Sequence, residues 1–259
     1  MSTDLELMHT TARAAGEILR RYFHGRDALT VEAKGPSDFV SRADREAEDA
    51  IRSRLLDGRP DAAYRGEESD YQRGSSALEW VVDPLDGTTN FLSGIPHFAV
   101  SIALREAGQT VAAVVYQPIT DELFSAALGE GARLDGVAVR GSPRRGWAQA
   151  VVATGVPHHG RPNHRAWIEQ FERVGQRVGG VRRFGAAALD LAWTAAGRFD
   201  GFWEQDLNPW DVAAGNLLVR EAGGVVTAIA EADDPDSGVS VIAAGRGFHP
   251  EFAAVVRGD

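Results

Sequence analysis

A chain of 259 residues, 44% hydrophobic and 25% charged, is long enough to bury a substantial core and has the composition of a folded globular protein. A formal net charge of -10 repels a nucleic-acid backbone, and the basic pairs Arg144-Arg145 and Arg182-Arg183 are too short to make a binding stripe. The absence of cysteine excludes disulfide frameworks, thiolate catalysis and sulfur-ligated zinc and favours a reducing cytoplasm, and no stretch approaches the about 18 uninterrupted apolar residues of a membrane span.

Leu5, Met8, Ala12, Ala15, Ile18, Leu19 and Tyr22 recur every three or four positions, which predicts an amphipathic helix over residues 3–23; acids placed early argue against an export leader. After KGPSDFVSRAD, which contains Lys34, Asp38 and Asp44, the stretch SRADREAEDAIRSRLL predicts a second helix ended by Gly58 and Pro60. AAYRGEE, EWVVD, HFAVSIALRE, TVAAVVYQP and DELFSAAL are then short β-rich runs between Gly, Pro or polar punctuation, and they predict strands. From about residue 149 the elements alternate: a strand AVVATG, a helix near 163–175, a helix AAALDLAWTAAG, a strand DGFWE, and a helix PWDVAAGNLLVREAGG. Strands GVVTAIA and GVSVIAAG and a short final helix complete the chain. This order predicts helices packed on sheets in both halves, the first more antiparallel and the second more α/β. The division is expected at RGSPRRGWA, giving an α+β half over residues 1–145 and an α/β half over 146–259. EADDPDSG, residues 231–238, reads as a solvated turn, because proline interrupts the spacing that a calcium loop needs.

VVDPLDGTTNF, residues 81 to 91, places two carboxylates beside a glycine-led row of backbone amides. EWVV is a buried-strand pattern, so Asp83 is expected at the carboxyl end of a strand, where ligands gather in α/β architectures. Pro84 holds Asp83 extended and starts a turn, which leaves the Leu85 carbonyl as available as the carboxylates of Asp83 and Asp86. Hard cations such as Mg2+ take oxygen ligands of these kinds. Gly87 lets the chain turn without a Cβ, and Thr88, Thr89 and Asn90 have the composition of a helix start, whose unpaired amides form a phosphate seat. A bare pair of aspartates at this spacing reads as an Asx-turn with two caps; the contiguous string DPLDGTT favours ligation. Two aspartates cannot hold a metal pair alone, so other acids must converge. Glu67 and Glu68 in GEES, Asp211 in the first helical turn after Pro209, and Asp44 at the start of the second helix are the candidates, although each in isolation reads as a solvated loop or a cap.

GEES, DPLDGTTN, RRFGAAALDLA and WDVAAG, in that order, resemble the inositol monophosphatase family of Mg2+-dependent, lithium-sensitive sugar phosphatases, and the resemblance covers nearly the whole chain. It implies a layered α/β/α/β sandwich, an α+β or α/β fold, usually dimeric. Carried over by position, it implies that Glu67, Asp83, the Leu85 carbonyl, Asp86 and Asp211 bind two or three Mg2+ ions. It implies that Asp44 and Thr88 orient the attacking water, with Glu67 assisting. The amides of Gly87 and Thr88, with Thr89 beside them, are implied to hold phosphate; Glu204, Asp211 and the backbone at Ala187 are implied to face the substrate hydroxyls. Ala186 departs from the family pattern, which commonly has Ser or Thr there, and the segment from Lys34 to Asp44 is one residue short of animal members, so Lys34 is given no role.

The implied reaction is hydrolysis of a small polyol or sugar phosphate monoester, inositol monophosphate first, by direct in-line attack of a metal-activated water with no phosphoenzyme. Histidinol phosphate, fructose 1,6-bisphosphate and 3′-phosphoadenosine 5′-phosphate are alternative substrates, and a regulatory binding protein on the same fold is the alternative of a different class. Glu204 favours a polyol, since a carboxylate accepts hydroxyl hydrogen bonds and repels a second phosphate. The expected partners are therefore a small phosphorylated substrate and a second copy of the chain, with no bulk nucleic acid and no membrane. His158, His159 and His164 read as solvated rather than as a zinc site, His97 as structural, and Trp193, Trp203 and Trp210 as core and pocket wall.

Overall fold

The computed structural model describes residues 3–25, 31–35, 38–157 and 162–259, with the backbone alone described at 31–35 and 38–40. Helix α1 (Thr3–His24) buries Leu5, Met8, Ala12, Ala15 and Leu19, the apolar stripe that its spacing predicts. A short hairpin, β1 (Val31–Gly35) and β2 (Asp38–Ser41), precedes α2 (Arg42–Gly58), whose buried face includes Ala43, Ala47, Ile51 and Leu55. The two helices pack on each other and on one face of a seven-stranded sheet.

That sheet runs in sequence order: β3 (Ala63–Gly66), β4 (Leu78–Asp86), β5 (Ala99–Glu106), β6 (Gln109–Gln117), β7 (Glu122–Ala127), β8 (Gly131–Leu134) and β9 (Val137–Ala138). Only β3 and β4 pair in parallel, because a short loop can join neighbouring strands only by reversing direction. Alternation along β4 sets the layers. Trp80 and Val82 join the core under α1 and α2, while Val81 joins the core on the opposite face. A five-residue helix, α3 (Thr88–Leu92), follows β4 directly.

The second sheet has strand order β11-β10-β12-β14-β13, from β10 (Val151–Thr154), β11 (Gly180–Arg182), β12 (Gly201–Gln205), β13 (Gly224–Thr227) and β14 (Ser240–Gly245). β10 runs parallel to both of its neighbours, and the other pairs are antiparallel. Helices α5 (Ala187–Ala195) and α6 (Pro209–Glu221) lie between the sheets and share one core with both. Helices α4 (His164–Gly175) and α7 (His249–Arg257) cover the outer face of the second sheet, where Val174 of α4 and Phe252 of α7 share a core with Trp203 and Ile242. The layered sandwich expected from the resemblance is present, and α4 and α7 add an outer helical layer to it. Among the described residues no helix is long and apolar enough to cross a membrane.

One local expectation is corrected. β4 does not stop at Asp83 but continues through Asp86, and its pairing with β5 slips between Asp83, opposite Ser101, and Asp86, opposite Ala99. Pro84 lacks an N–H for the ladder, so the irregularity falls where the strand would lose a hydrogen bond in any case. The bulge sets both aspartates and the Leu85 carbonyl at one strand end.

Candidate active site

The strand end and α3 open into a cavity of about 650 Å3. Its wall includes Glu67 after β3, Asp83, Leu85 and Asp86 from the β4 bulge, and Gly87, Thr88 and Thr89 at the start of α3. Ala187 at the start of α5, Glu204 in β12 and Asp211 in the first turn of α6 close the opposite side. Asp44 stands behind Thr88, 1% exposed, with its Oδ1 3.3 Å from the Thr88 hydroxyl. The residues that the resemblance implies for metal, phosphate and substrate therefore meet at this cavity, with Asp44 behind its wall, whereas Glu68, the other acid of GEES, does not line it. The His158 and His159 expectation, and the side chains of Lys34 and Asp38, lie outside the described residues.

Local hydrogen bonds explain how the acids are aimed. Asp83 Oδ1 accepts from the Leu85 N–H at 2.9 Å, closing an Asx-turn over Pro84. Asp86 Oδ2 accepts from the Ala188 N–H at 2.7 Å and so caps α5 from a distant strand, since Ala186 brings no capping side chain of its own. Asp211 Oδ2 accepts from the Asn208 N–H at 2.7 Å and Asp44 Oδ2 from the Ser41 N–H at 2.9 Å, so each is a capping acid, and the Asp44 cap leaves Oδ1 to the Thr88 hydroxyl. In Asp44, capping and the contact with Thr88 are thus carried by different oxygens of one carboxyl group. Gly87 has φ +93°, and a Cβ there would meet the His97 carbonyl at 3.1 Å and the Gly185 carbonyl at 3.3 Å, so the turn into α3 requires glycine. Asn90 donates to the His97 and Phe184 carbonyls at 2.8 and 2.7 Å and ties α3 to the approach to α5.

Gathering acids in a buried wall is costly, since burial and like charges both disfavour the ionised carboxylates. Burial, then Glu67, Asp86 and Asp211, push the Asp83 carboxyl well above the usual carboxylate range. Burial pushes Asp86 up to about 7, with Glu67 adding to the rise and the α5 amides holding it back. Burial likewise raises Asp44, against hydrogen bonds from Ser41 and Thr88 that favour its ionised form.

The donor set is all oxygen: the four acids Glu67, Asp83, Asp86 and Asp211, and a main-chain carbonyl. Among the described residues, no three His, Asp or Glu side chains close into a finished cage. Mg2+ does not need one, because it binds through one or two carboxylates and keeps several waters. A hard divalent cation fits this wall and would offset the repulsion that adds to the effect of burial on Asp83 and Asp86.

Several site-forming residues escape a sequence reading. Glu48, 2% exposed, accepts from the Glu68 N–H at 2.8 Å and lies under Gly66, where a Cβ would come within 2.1 Å of it, so it braces the GEES turn. The signal was an acid four residues after Asp44 on the apolar face of α2. Gly155 makes room for Glu204, whose Oε1 would lie 1.7 Å from a Cβ there. Asp190 is fully buried beneath the wall, and neither of its oxygens has a hydrogen-bond partner among the described residues; burial, Glu204 and Asp86 raise it well above the usual range. An acid inside the apolar run ALDLA was its signal. Arg183, at the mouth of the cavity, eases the Asp190 shift.

A layered α/β sandwich that brings four acids, a strand-end carbonyl and a glycine-led helix start to one cavity has the construction of a metal-dependent phosphomonoesterase. The chain belongs to the inositol monophosphatase family, whose model matches residues 1–258. It is 51% identical over 221 residues to the inositol-1-monophosphatase of Rhizobium meliloti, covering 85% of this chain and 83% of that protein. It is also 44% identical over 224 residues to the Nus factor SuhB of Escherichia coli, covering 86% and 84%. The crystal structure of the extragenic suppressor protein suhB from Bartonella henselae superposes with a TM-score of 0.95 at 45% identity over 99% of both chains. The chain is accordingly a phosphoric monoester hydrolase of this generally metal-dependent family, acting on small phosphorylated compounds.

Proposed function

We propose that the substrate is inositol monophosphate or a closely related small polyol phosphate, hydrolysed with Mg2+ by direct attack of water. The observation that carries this reading is the Asp44–Thr88 pair facing a wall of four acids, with Glu204 across the same cavity. Glu67, Asp83, the Leu85 carbonyl, Asp86 and Asp211 would hold the metal. Bound Mg2+ supplies positive charge for the phosphate and the leaving oxygen and acidifies the attacking water.

The remaining roles belong to the chain itself. The Thr88 hydroxyl stands 3.1 Å from the Leu85 carbonyl and 3.3 Å from Asp44, so it can give its proton to the Asp44 carboxylate and accept one from a water in the cavity. Asp44 is positioned for this by Ser41, which binds the opposite carboxyl oxygen. The first amides of α3 have no acceptors within the helix and suit the phosphate oxygens. Glu204 and the backbone at Ala187 suit the ring hydroxyls, and the carboxylate disfavours a second phosphate beside it. The active form is proposed to be a homodimer, which sedimentation equilibrium tests.

Turnover of inositol monophosphate above histidinol phosphate, fructose 1,6-bisphosphate and 3′-phosphoadenosine 5′-phosphate in one panel is the expected result; a preference for a bisphosphate would refute the assignment of Glu204. Oxygen-18 water should label the released phosphate in a single turnover, and an unlabelled product would exclude direct attack. The similarity to a Nus factor supports a second reading, a regulatory binding role on the same fold. A partner complex that forms equally in EDTA would favour it.

A further inference from the structure

We infer that the chain carries a second ligand site, for a compact polyanion, at the far end of α6 from the acidic cavity. A separate cavity of about 560 Å3 opens there between the β8–β9 hairpin, the segment joining the two sheets, and the turns that follow α6 and β14. The 1.5 Å rise per residue puts Glu221, on its wall, about 15 Å along the helix from Asp211. On a chain with net charge -10, this cavity alone of the two has a mainly cationic charged lining: Arg133, Arg140, Arg145 and Arg246 against Glu130 and Glu221.

The charges are not balanced locally. Glu221 is already engaged, accepting from the Gly129 N–H at 2.9 Å and the Gly131 N–H at 2.8 Å. Arg140, Arg145 and Arg246 make no hydrogen bond or ion pair with any described residue, whereas neighbouring Arg144 pairs with Asp200 and Arg220 with Asp236. Among the described residues, Arg133 reaches only the Gly136 carbonyl. The carbonyl end of α6 would oppose an anion, but the Ala222 carbonyl is taken by the Gly141 N–H at 3.1 Å. The walls are also bare backbone where the segments meet: a Cβ at Gly245 would fall 2.2 Å from the Ser142 carbonyl, and one at Gly247 would fall 3.0 Å from Arg145 Cγ. Arg145 is thereby laid along Gly247 at the cavity edge. Guanidinium groups present planar pairs of donors that match phosphate and carboxylate oxygens, and several unpaired ones around a recess suit a ligand with more than one anionic group. The acidic cavity cannot be the source of this affinity in metal-free protein, because its own charge repels anions.

Calorimetric titration of the full chain, stripped of metal and then dialysed free of chelator, at constant ionic strength tests the inference, with pyrophosphate and citrate as probes to separate phosphate from carboxylate recognition. One saturable site is expected, weakened at least tenfold in Arg145→Gln/Arg246→Gln and in Arg140→Gln/Arg246→Gln, and unchanged in Asp83→Asn. Both arginine variants should keep wild-type melting temperature and Mg2+-supported turnover, since the substituted side chains are exposed and unpaired. Absence of saturable binding, equal affinity in the arginine variants, or tighter binding of a single-stranded RNA than of either small anion would overturn it.

Discussion

At the scale of single residues, roles separate by which oxygen does what. Asp44 caps α2 with one carboxyl oxygen and meets Thr88 with the other, so Asp44→Asn distinguishes a cap from a water-orienting base. Loss of a cap costs about 1 kcal/mol, whereas loss of the proton acceptor should lower kcat by roughly 10²-fold or more with melting temperature little changed. Unaltered turnover would leave Asp44 a cap only. Gly155 offers a test of Glu204 that leaves its carboxylate in place. A Cβ at 1.7 Å from Oε1 must displace the side chain, so Gly155→Ala should raise KM for the polyol substrate about tenfold with a smaller effect on kcat. An unchanged KM would remove Glu204 from hydroxyl recognition. The ligand string DPLDGTTN was legible because its chemistry is contiguous. Gly155 was not, since nothing in ATGVP announces that a carboxylate 49 residues later will lie across it.

At the scale of elements, the long periodic segments were readable and several of the short ones were not. The spacing of Leu5, Met8, Ala12 and Ala15 predicted α1, and the alternation in the second half predicted α5, β12 and α6 in order. The β1–β2 hairpin, β8, β9 and β11 were missed, because elements of two to five residues are fixed by their partners rather than by their own periodicity, whereas the start of α3 at Thr88 was read from its composition. The acidic loop read as solvated is more ordered than that. Asp236 sits in a 3₁₀ turn and binds Arg220 at 2.8 Å and Asn216 at 2.8 Å. Helix α5 carries a cost that its sequence hides, the orphaned carboxyl of Asp190. Its raised pKa means that the folded chain holds a proton the unfolded chain gives up, so stability is full below about pH 4 and declines as pH rises. Asp190→Asn removes that decline. Urea unfolding of metal-free protein should show the variant gaining on the parent between pH 4 and 8; parallel curves would contradict the burial argument.

At the scale of the whole molecule, α5 and α6 form the layer that joins the two sheets, and the cavity lies at its edge, so site and fold share supports. His97 lies in that junction, its ring 4.8 Å from Phe184 and 5.1 Å from Trp193, and burial lowers its pKa to about 4. Stability from the neutral ring is complete above about pH 6.5 and is lost as pH falls toward 4, about 3 kcal/mol in all. His97→Phe should flatten this acid limb of the stability curve, measured by denaturation from pH 7 to 4, and an unchanged limb would place the ring outside the core junction. The larger electrostatic question is how an acidic chain takes an anionic substrate. Four acids from β3, the β4 bulge and α6 answer it only if divalent cations convert their cavity from repulsive to attractive. A Mg2+ titration of inositol monophosphate hydrolysis, wild type beside Asp83→Asn, addresses this most directly. No turnover in EDTA, recovery with Mg2+, and a requirement at least tenfold higher in the variant are predicted; turnover indifferent to divalent ions, or superimposable Mg2+ curves for the two proteins, would contradict the account.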